Sequence, residues 1–422
     1  MATVLKRRSA ATIYPVPEPD LTPDEIVARA TALIPRLRAE QAEAEELGGY
    51  TEGMHREFLK AGLYRILQPR MFGGYEFDVT TFYKAMLEVA TGHPGAGWCL
   101  TLCASHAWVL GSHWEEQGQR ELFGPDGNFS APHRATPTGV ATPVEGGYRL
   151  TGQWDYCSGI PHATHFVAVA RDGGSADPGK TLTLMVPKNK LTILDDWGGD
   201  KTLGMRASGS FGVKVEDAFI PAAHTTYGYG LWRHEATTAK GTPGTRLHGN
   251  PMYLGRTSGP YHMSLVTPIL GAARAALDEF EAIITGRNTR HQPDLPRFKH
   301  ADFQRTWGQA RSLADAAEGI LWAAGDKYMW QCRRWAETGT PINIEDDLRL
   351  WGMVQQAGRL ASEAVDVVFC NASSAATKTG QKIERYYRDV GMYKSHISSQ
   401  ILNFAPPIAR AHFGLEIGMF GM

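Results

Sequence analysis

Residues Tyr148–His165 have the sequence YRLTGQWDYCSGIPHATH, and the organisation of the chain follows from this stretch. The first half alternates apolar and polar side chains, which is the pattern of a β-strand with one buried face. The second half, from Cys157 to Ala163, is a cluster of small, polar and turn-forming residues. Helical patterns lie on both sides of the stretch, at a distance. It therefore predicts a β module that carries a polar turn and stands between two helical modules.

The composition indicates a multidomain globular protein. The chain has 422 residues, which exceeds one ordinary hydrophobic core and predicts two or three domains. The net charge of −1 offers no basic surface for a nucleic acid. No apolar run approaches the roughly 18 residues of a membrane span, and the N-terminus lacks the apolar segment of a secretory signal. Nucleic acids and membranes are therefore not expected as partners.

The five cysteines are scattered and odd in number, which fits a reducing compartment, so a cytoplasmic location is expected. Cys99 and Cys103 lie four residues apart on a predicted helix, where buried thiols are expected rather than a metal pair. His162 and His165 lie three residues apart in a loop without a third ligand nearby. No metal site is therefore predicted.

Periodicity divides the chain into three domains of an α+β protein. Residues 1–125 are predicted to form an N-terminal α-helical domain, because apolar residues recur at helical spacing after the capping box that begins at Thr22. Residues 126–225 are predicted to form a central β domain, with a hairpin around Gly146. Residues 226–422 show long amphipathic patterns with small residues at the contacts, which predict a C-terminal four-helix bundle. Such faces often continue across subunits, so an oligomer is expected.

The connection 222–260 is rich in Gly, Tyr, Thr and His and has no clear period. Two alternatives are open for it, disorder or a functional loop. A loop that lines a pocket is favoured, because the connection carries Trp232, Tyr253 and Arg256.

Several nucleotide and nucleophile motifs are missing from the sequence. No Gly-x-Gly-x-x-Gly follows a strand and opens a helix, so a Rossmann site is not supported. A P-loop and a Gly-x-Ser-x-Gly nucleophile elbow are also absent. The chemistry must therefore come from another kind of site.

Five motifs, taken together and in order, resemble the acyl-CoA dehydrogenase fold. They are more specifically similar to the oxygenase components of two-component, reduced-flavin-dependent monooxygenases, such as p-hydroxyphenylacetate hydroxylase and secosteroid phenol hydroxylase. The resemblance covers about residues 25–415. The motifs are 62–74 (GLYRILQPRMFGG), 95–98 (GAGW) followed by His106, 130–132 (SAP), 154–163 (WDYCSGIPHA), and 385–389 (RYYRD) followed by His396.

The resemblance implies a function and a set of partners. FMNH2, with FADH2 as the alternative, would react with O2 to give a C4a-hydroperoxyflavin, which would hydroxylate an aromatic, and more specifically a phenolic, substrate. A separate flavin reductase would supply the reduced flavin. The family also implies a homotetramer.

The resemblance also implies roles for individual residues. Ser158 would accept a hydrogen bond from flavin N5–H and slow the loss of peroxide. His396, with a pKa near neutrality, would take a phenol proton or orient the ring. His106 is the third catalytic candidate. The implied cofactor-binding residues are Trp98, Ser130, Pro132, Ser158, Gly159, Arg206, Ser208 and Ser210, and the implied substrate-binding residues are Trp98, His106, Arg256 and His396.

Two departures from the family pattern fall at the flavin edge, where Cys157 replaces a serine and Pro161 precedes His162. The principal alternative function is an FAD-dependent acyl-CoA dehydrogenase, which shares the fold. It is disfavoured because the dehydrogenase glutamate segment is missing, and Glu416 lies in a sequence unlike it. Residues 296–300 and 377–380 lack the motifs that hold the adenine half of FAD, which favours FMN. A helical scaffold that has lost flavin is a third alternative.

Overall fold

The computed structural model describes residues 12–125, 127–227, 239–290 and 294–417. Part of the 222–260 connection, including Trp232, lies outside these ranges. Two groups of helices enclose one β-sheet within the described residues. In these ranges, no helix is both long and apolar enough to cross a membrane.

The N-terminal helices begin where the sequence supplies caps. Thr22 closes a capping box with Glu25, and Thr51 and Asp78 each accept a backbone N–H from the first turn of their helix. Two helices, rather than one, cover residues 95–110, because the chain tightens at Ser105, whose carbonyl accepts from the Trp108 N–H at 3.2 Å. The helices are α1 (Pro23–Ala32), α2 (Ile34–Ala39), α3 (Gln41–Leu47), α4 (Glu52–Ala61), α5 (Val79–Gly92), α6 (Pro94–Ala104), α7 (His106–His113) and α8 (Glu116–Phe123).

The central sheet has the strand order β5-β6-β2-β1-β3-β4-β7. Strands β1 and β3 are parallel, and the other neighbouring pairs are antiparallel. The predicted hairpin is β1–β2, in which Val144 pairs with Gly147 and Gly146 has a φ of 76°. The strands are β1 (His133–Val144), β2 (Gly147–Trp154), β3 (His165–Asp172), β4 (Thr181–Pro187), β5 (Thr192–Ile193), β6 (Val213–Pro221) and β7 (Thr225–Tyr227).

The C-terminal helices pack around α10, which contacts α5, α6, α11, α12 and α13. The helical segment over residues 382–404 is divided at His396, which caps a short 3-10 turn. The described part of the 222–260 connection contains α9 and a 3-10 turn at Pro251–Leu254. The helices are α9 (Pro243–His248), α10 (Ser258–Thr285), α11 (Ala301–Thr338), α12 (Ile344–Asn371), α13 (Lys382–Ser395) and α14 (Ile401–His412).

Three helices meet closely at Ala90 of α5. A Cβ atom added to Gly97 of α6 would lie 2.6 Å from the Ala90 Cβ, and one added to Gly271 of α10 would lie 2.4 Å from the same atom. Real Cβ atoms do not approach so closely, so neither glycine can carry a side chain without a shift of backbone. Trp98 follows Gly97 directly, so this contact sets the position of the indole.

A buried ionic network ties α13 to α3 and to the segment around Met205. Arg385 and Arg388 lie 3.1 and 3.2 Å from the carboxylate of Glu45. The neighbouring Asp389 accepts the backbone N–H of Met205 at 2.6 Å. Burial and, to a smaller extent, repulsion from Glu45 raise the pKa of Asp389 to about 7.

Gly271→Ala should destabilise the protein, because overpacking a tight helix contact costs about 1–3 kcal/mol. Gly308→Ala is the matched control, since a Cβ there has nothing within 4 Å. It should stabilise α11 by about 0.5–1 kcal/mol. Thermal unfolding followed by circular dichroism should give a lower Tm for the first variant and an equal or higher Tm for the second. Equal Tm values for both variants would count against the close contact.

Asp389→Asn should gain stability relative to the wild type as pH rises. The pKa of Asp389 is about 7 in the folded protein against 3.8 for an ordinary aspartate side chain. The folded state therefore holds this proton more tightly than the unfolded state. The stability that the wild type gains from this protonated side chain is fully present below about pH 4 and is lost as pH rises towards 7. The Asn amide oxygen can still accept the Met205 N–H. The difference in Tm between variant and wild type, measured from pH 5 to 8, should grow up to neutrality; a constant difference would contradict this account.

Candidate active site

A cavity of about 330 Å³ lies between helix α6, strand β1 and the turn after β2. The first turns of α10 and the last turn of α13 complete its wall. This volume is in the range of small-molecule sites. Six of the residues predicted for the site line it, namely Trp98, His106, Ser158, Ser208, Ser210 and His396. Five predicted residues are not in the lining, namely Ser130, Pro132, Gly159, Arg206 and Arg256.

A chain of hydroxyl groups runs along one wall. The indole Nε1–H of Trp98 points to Ser158 Oγ at 3.2 Å, which lies 2.8 Å from Ser210 Oγ. Ser210 Oγ lies 2.6 Å from Ser208 Oγ. An indole N–H can only donate, so Ser158 accepts from it and can in turn donate a hydrogen bond to Ser210. All three serines are buried, so these hydrogen bonds are made away from bulk water.

The turn that presents Ser158 is conformationally unusual. Tyr156 has a φ of 59°, which few non-glycine residues adopt, and its carbonyl accepts the Ser158 N–H at 3.0 Å. Gly159 has a φ of 97°, and a Cβ there would lie 2.8 Å from the Cβ of Cys103. Gly159 therefore allows the turn to press against α6 and lies outside the cavity lining.

Both departures from the family pattern point away from the cavity. Cys157 is fully buried in the core of the β domain, where its Sγ lies 3.4 Å from the Trp154 carbonyl oxygen. Pro161 packs near Gly49 and Gly209. Neither residue is in the described cavity lining, so their substitution changes the scaffold of the turn and leaves the lining unaltered.

The buried cysteines are held as thiols. Cys99, Cys103, Cys157 and Cys332 are fully buried, and only Cys370 is exposed. Burial raises the pKa of Cys103 and of Cys332 to about 12, and it raises those of Cys99 and Cys157 as well.

His396 reaches the cavity from the end of α13. Its Nδ1 accepts the backbone N–H of Ser398 at 3.2 Å, so the neutral ring carries its proton on Nε2. Its ring lies 6.0 Å from the Trp98 ring in an edge-on arrangement. The expectation of a pKa near neutrality is wrong, because burial, aided by Arg134, lowers the pKa of His396 to about 4.

His106 is held on both sides. Its Nδ1 donates to the Leu102 carbonyl at 2.6 Å, and its Nε2 accepts from the Arg256 guanidinium at 2.8 Å. Arg256 also donates to Ser105 Oγ at 3.0 Å and lies 4.9 Å from the Tyr261 ring. Burial and the charge of Arg256 lower the pKa of His106. Both ring nitrogens have protein partners, so His106 is held in place as part of the cavity wall. Arg256 supports His106 but is not itself in the lining.

The remaining predicted residues serve the surrounding scaffold. Ser130 Oγ donates to the His162 carbonyl at 3.3 Å, and the Pro132 carbonyl accepts from Val167 N–H at 2.8 Å. Arg206 Nε donates to the Thr202 carbonyl at 3.0 Å. Tyr253, in the connection expected to line a pocket, is fully buried and donates to the Leu67 carbonyl at 3.2 Å. Neither it nor any other described residue of 239–257 lines this cavity.

Sequence reasoning missed Arg134, Tyr156 and Tyr261 as parts of the lining. The guanidinium of Arg134 lies 5.8 Å from the Tyr156 ring centroid, and this ring lies 5.9 Å from that of Trp197 at an interplanar angle of 81°. Arg134 follows the SAP motif by two residues and Tyr156 precedes Ser158 by two, so proximity to the motifs was the available signal.

The lining suits a flat heteroaromatic cofactor such as a flavin. Trp98, Tyr156 and Trp197 supply aromatic surface, and the three serines supply hydroxyls that can donate to or accept from ring nitrogens and oxygens. No Asp or Glu occurs among the described lining residues, so no buried carboxylate would oppose an electron-rich ring.

Comparison with known proteins gives a consistent grouping. Residues 263–401 match the family described as acyl-CoA dehydrogenase, C-terminal domain. The flavin-dependent monooxygenase oxygenase subunit HsaA of Rhodococcus jostii (strain RHA1) is 26% identical over 404 residues, covering 92% of this chain and 98% of that protein. The oxygenase component of p-hydroxyphenylacetate 3-hydroxylase from Acinetobacter baumannii is 22% identical over 409 residues, covering 94% and 91% respectively.

A solved structure extends the match to three dimensions. XiaF from Streptomyces sp., in complex with FADH2 and glycerol, superposes with a TM-score of 0.83 at 24% identity, covering 94% of this chain and 97% of XiaF. The predicted α+β, acyl-CoA dehydrogenase-like fold is thus confirmed. Over nearly its whole length the chain is therefore similar to proteins named as oxygenase subunits of flavin-dependent monooxygenases, and its fold is that of the acyl-CoA dehydrogenases.

Proposed function

We propose that this chain is the oxygenase component of a two-component flavin-dependent monooxygenase that hydroxylates a phenolic ring. The observation that carries the proposal is one cavity in which the Trp98–Ser158 hydrogen bond and the neutral His396 ring face the same space. The relatives named for this reaction support it. The dehydrogenase alternative needs a carboxylate base, and none is present among the described lining residues.

The proposed cofactor is FMNH2, with FADH2 as the alternative, and a separate reductase supplies it. Trp98, Ser158, Ser208 and Ser210 would hold the flavin ring. When bound, the reduced flavin supplies the electrons that activate O2 for transfer of one oxygen atom to the substrate. We also propose that the protein is a cytoplasmic homotetramer. The long helical faces of the C-terminal domain support an assembly of several copies of the chain.

Ser158 would hold a proton at the flavin. Its oxygen accepts from Trp98 with one lone pair, its own proton can be donated to Ser210, and a second lone pair then remains for a ring N–H of the cofactor. A hydrogen bond made in a buried site is stronger than the same bond in water. The wall around Ser158 therefore keeps that proton in place and keeps water out.

His396 would act on the substrate as a hydrogen-bond donor. Because Nδ1 is engaged by Ser398, the Nε2–H is the group available to a phenolic oxygen. A donor there holds the phenolic oxygen in place and so fixes which ortho carbon of the ring faces the cofactor. Of the two roles open for His396, orientation of the ring is thus favoured over removal of the proton. A pKa of about 4 keeps the ring neutral throughout the physiological pH range.

Ser158→Ala should increase the share of reduced flavin that ends as hydrogen peroxide, because the N–H acceptor is lost. A rise in the rate of peroxide release of about 3- to 10-fold is expected for the loss of one hydrogen bond. The measurement is peroxide formed per reduced flavin consumed. Ser112→Ala is the control, since Ser112 is buried but bonds only its own helix, at the Trp108 carbonyl. If Ser158→Ala forms the same amount of peroxide per reduced flavin as the wild type, Ser158 does not have the proposed role.

His396→Ala should retain flavin binding but lose product, with the yield of hydroxylated phenol per reduced flavin falling by about 10- to 100-fold. His412→Ala, at an exposed histidine near Glu345, is the control. The wild-type yield should show no titration near pH 6.5, because the His396 pKa is about 4. A full yield from His396→Ala, or a transition near pH 6.5 that this variant abolishes, would contradict the assigned role.

A further inference from the structure

Arg134 stands at the cavity wall without an acidic partner. It lies at the start of β1, next to His133, and its side chain lines the cavity. Its one described contact is with the Tyr156 ring, whose centroid is 5.8 Å from the guanidinium carbon. Among the residues that the structure describes, its side chain makes no hydrogen bond and no ion pair. A guanidinium has five N–H donors, so most of its binding capacity is unused.

The other arginines near the cavity are engaged by protein groups. Arg256 donates to Ser105 and His106. Arg388 pairs with Glu45 and Glu384. Arg134 therefore differs from these two arginines in having a guanidinium that no protein group engages by a hydrogen bond or an ion pair.

The charge of Arg134 is not balanced inside the cavity. It is the single formally charged side chain among the described lining residues, which otherwise comprise neutral histidines, aromatic residues, serines and apolar groups. Asp155 and Asp196 are the carboxylates that act on nearby Cys157, yet neither is in the lining, and Asp196 accepts the Gly212 N–H at 2.9 Å. A half-buried cation in such surroundings favours a bound anion.

We propose that Arg134 binds a carboxylate on the substrate, so that the natural substrate is a phenol with an acidic side chain. The inference rests on the proposed function. Arg134 lies close enough to His396 for its charge to act on the imidazole. A phenol whose oxygen meets His396 therefore extends towards a guanidinium that can hold a carboxylate by two parallel hydrogen bonds. The flavin phosphate is the other oxyanion that could meet Arg134, and the experiment separates the two.

The test compares phenols that differ only in charge. The protein is saturated with reduced FMN under anaerobic conditions and titrated, in a calorimeter, with 4-hydroxybenzoate, 4-hydroxyphenylacetate and 3-(4-hydroxyphenyl)propanoate, and with the primary amide of each. At least one acid should bind about 10-fold or more tightly than its amide, which is the expected gain from hydrogen bonds to a charged group. Arg134→Met should weaken binding of that acid to the level of its amide, and Arg134→Lys should restore part of the preference.

Arg149→Met is the matched control, because Arg149 is half-exposed on the same sheet and faces Asp217 at 3.5 Å. The Arg149→Met variant should prefer the acid over its amide by the same factor as the wild type. The proposal is overturned if the wild type prefers no acid over its amide, or if the preference survives in Arg134→Met. It is also overturned if Arg134→Met weakens FMN binding and affects acids and amides alike, since the guanidinium would then hold the flavin phosphate. Product formation, measured on the same preparations, tests the hydroxylase function separately.

Discussion

The close packing of backbone around α6 is the constraint on which the site depends. All 11 residues of this helix are buried, and glycines allow three neighbours to approach it. A Cβ on Gly95 would lie 3.1 Å from that of Ala207, while those on Gly97 and Gly159 would meet Ala90 and Cys103 at 2.6 and 2.8 Å. Since interiors pack as densely as organic crystals, such contacts leave little freedom of movement. The indole of Trp98, and the serine chain that begins at it, are positioned by backbone rather than by flexible side chains.

Burial also decides the electrostatic character of the cavity. Desolvation keeps His106, His133 and His396 neutral, so their hydrogen-bonding patterns do not change over the ordinary pH range. The surrounding low dielectric strengthens each remaining polar contact. The cavity thus combines fixed neutral donors and acceptors with the one positive charge of Arg134 among its described lining residues. That arrangement would suit an electron-rich ring that must be oriented and then protected from water.

Much of the fold was predictable, because local signals determine it. The capping box at Thr22 and the glycine turn at Gly146 have mechanisms that act within a few residues. The order of the motifs led to the resemblance and, through it, to Trp98, Ser158 and His396. The backbone shape of the turn was harder to predict, because Tyr156 has a positive φ, which few non-glycine residues adopt and which nothing in the sequence marks.

Long-range pairs could not be predicted from the sequence. Arg256 and His106 are 150 positions apart, and Met205 and Asp389 are 184 apart, so no spacing rule connects them. Apart from its position two residues after the SAP motif, Arg134 carried no sequence signal, because the absence of a carboxylate from the cavity lining around it is seen only in the folded arrangement. Helix breaks such as those at Ser105 and His396 give no sequence signal, because helical periodicity continues across them.

The deep burial of the thiols has a consequence for chemical durability. An oxygenase of this type works beside hydrogen peroxide whenever reduced flavin reacts without transferring oxygen to substrate. Peroxide oxidises the thiolate form of cysteine, so a raised pKa together with burial removes both the reactive species and the access to it. Cys99 and Cys103 on α6, and Cys157 next to Ser158, are shielded in this way. Cys370, on the exposed surface, is left as the position where oxidative damage should first accumulate as the protein ages.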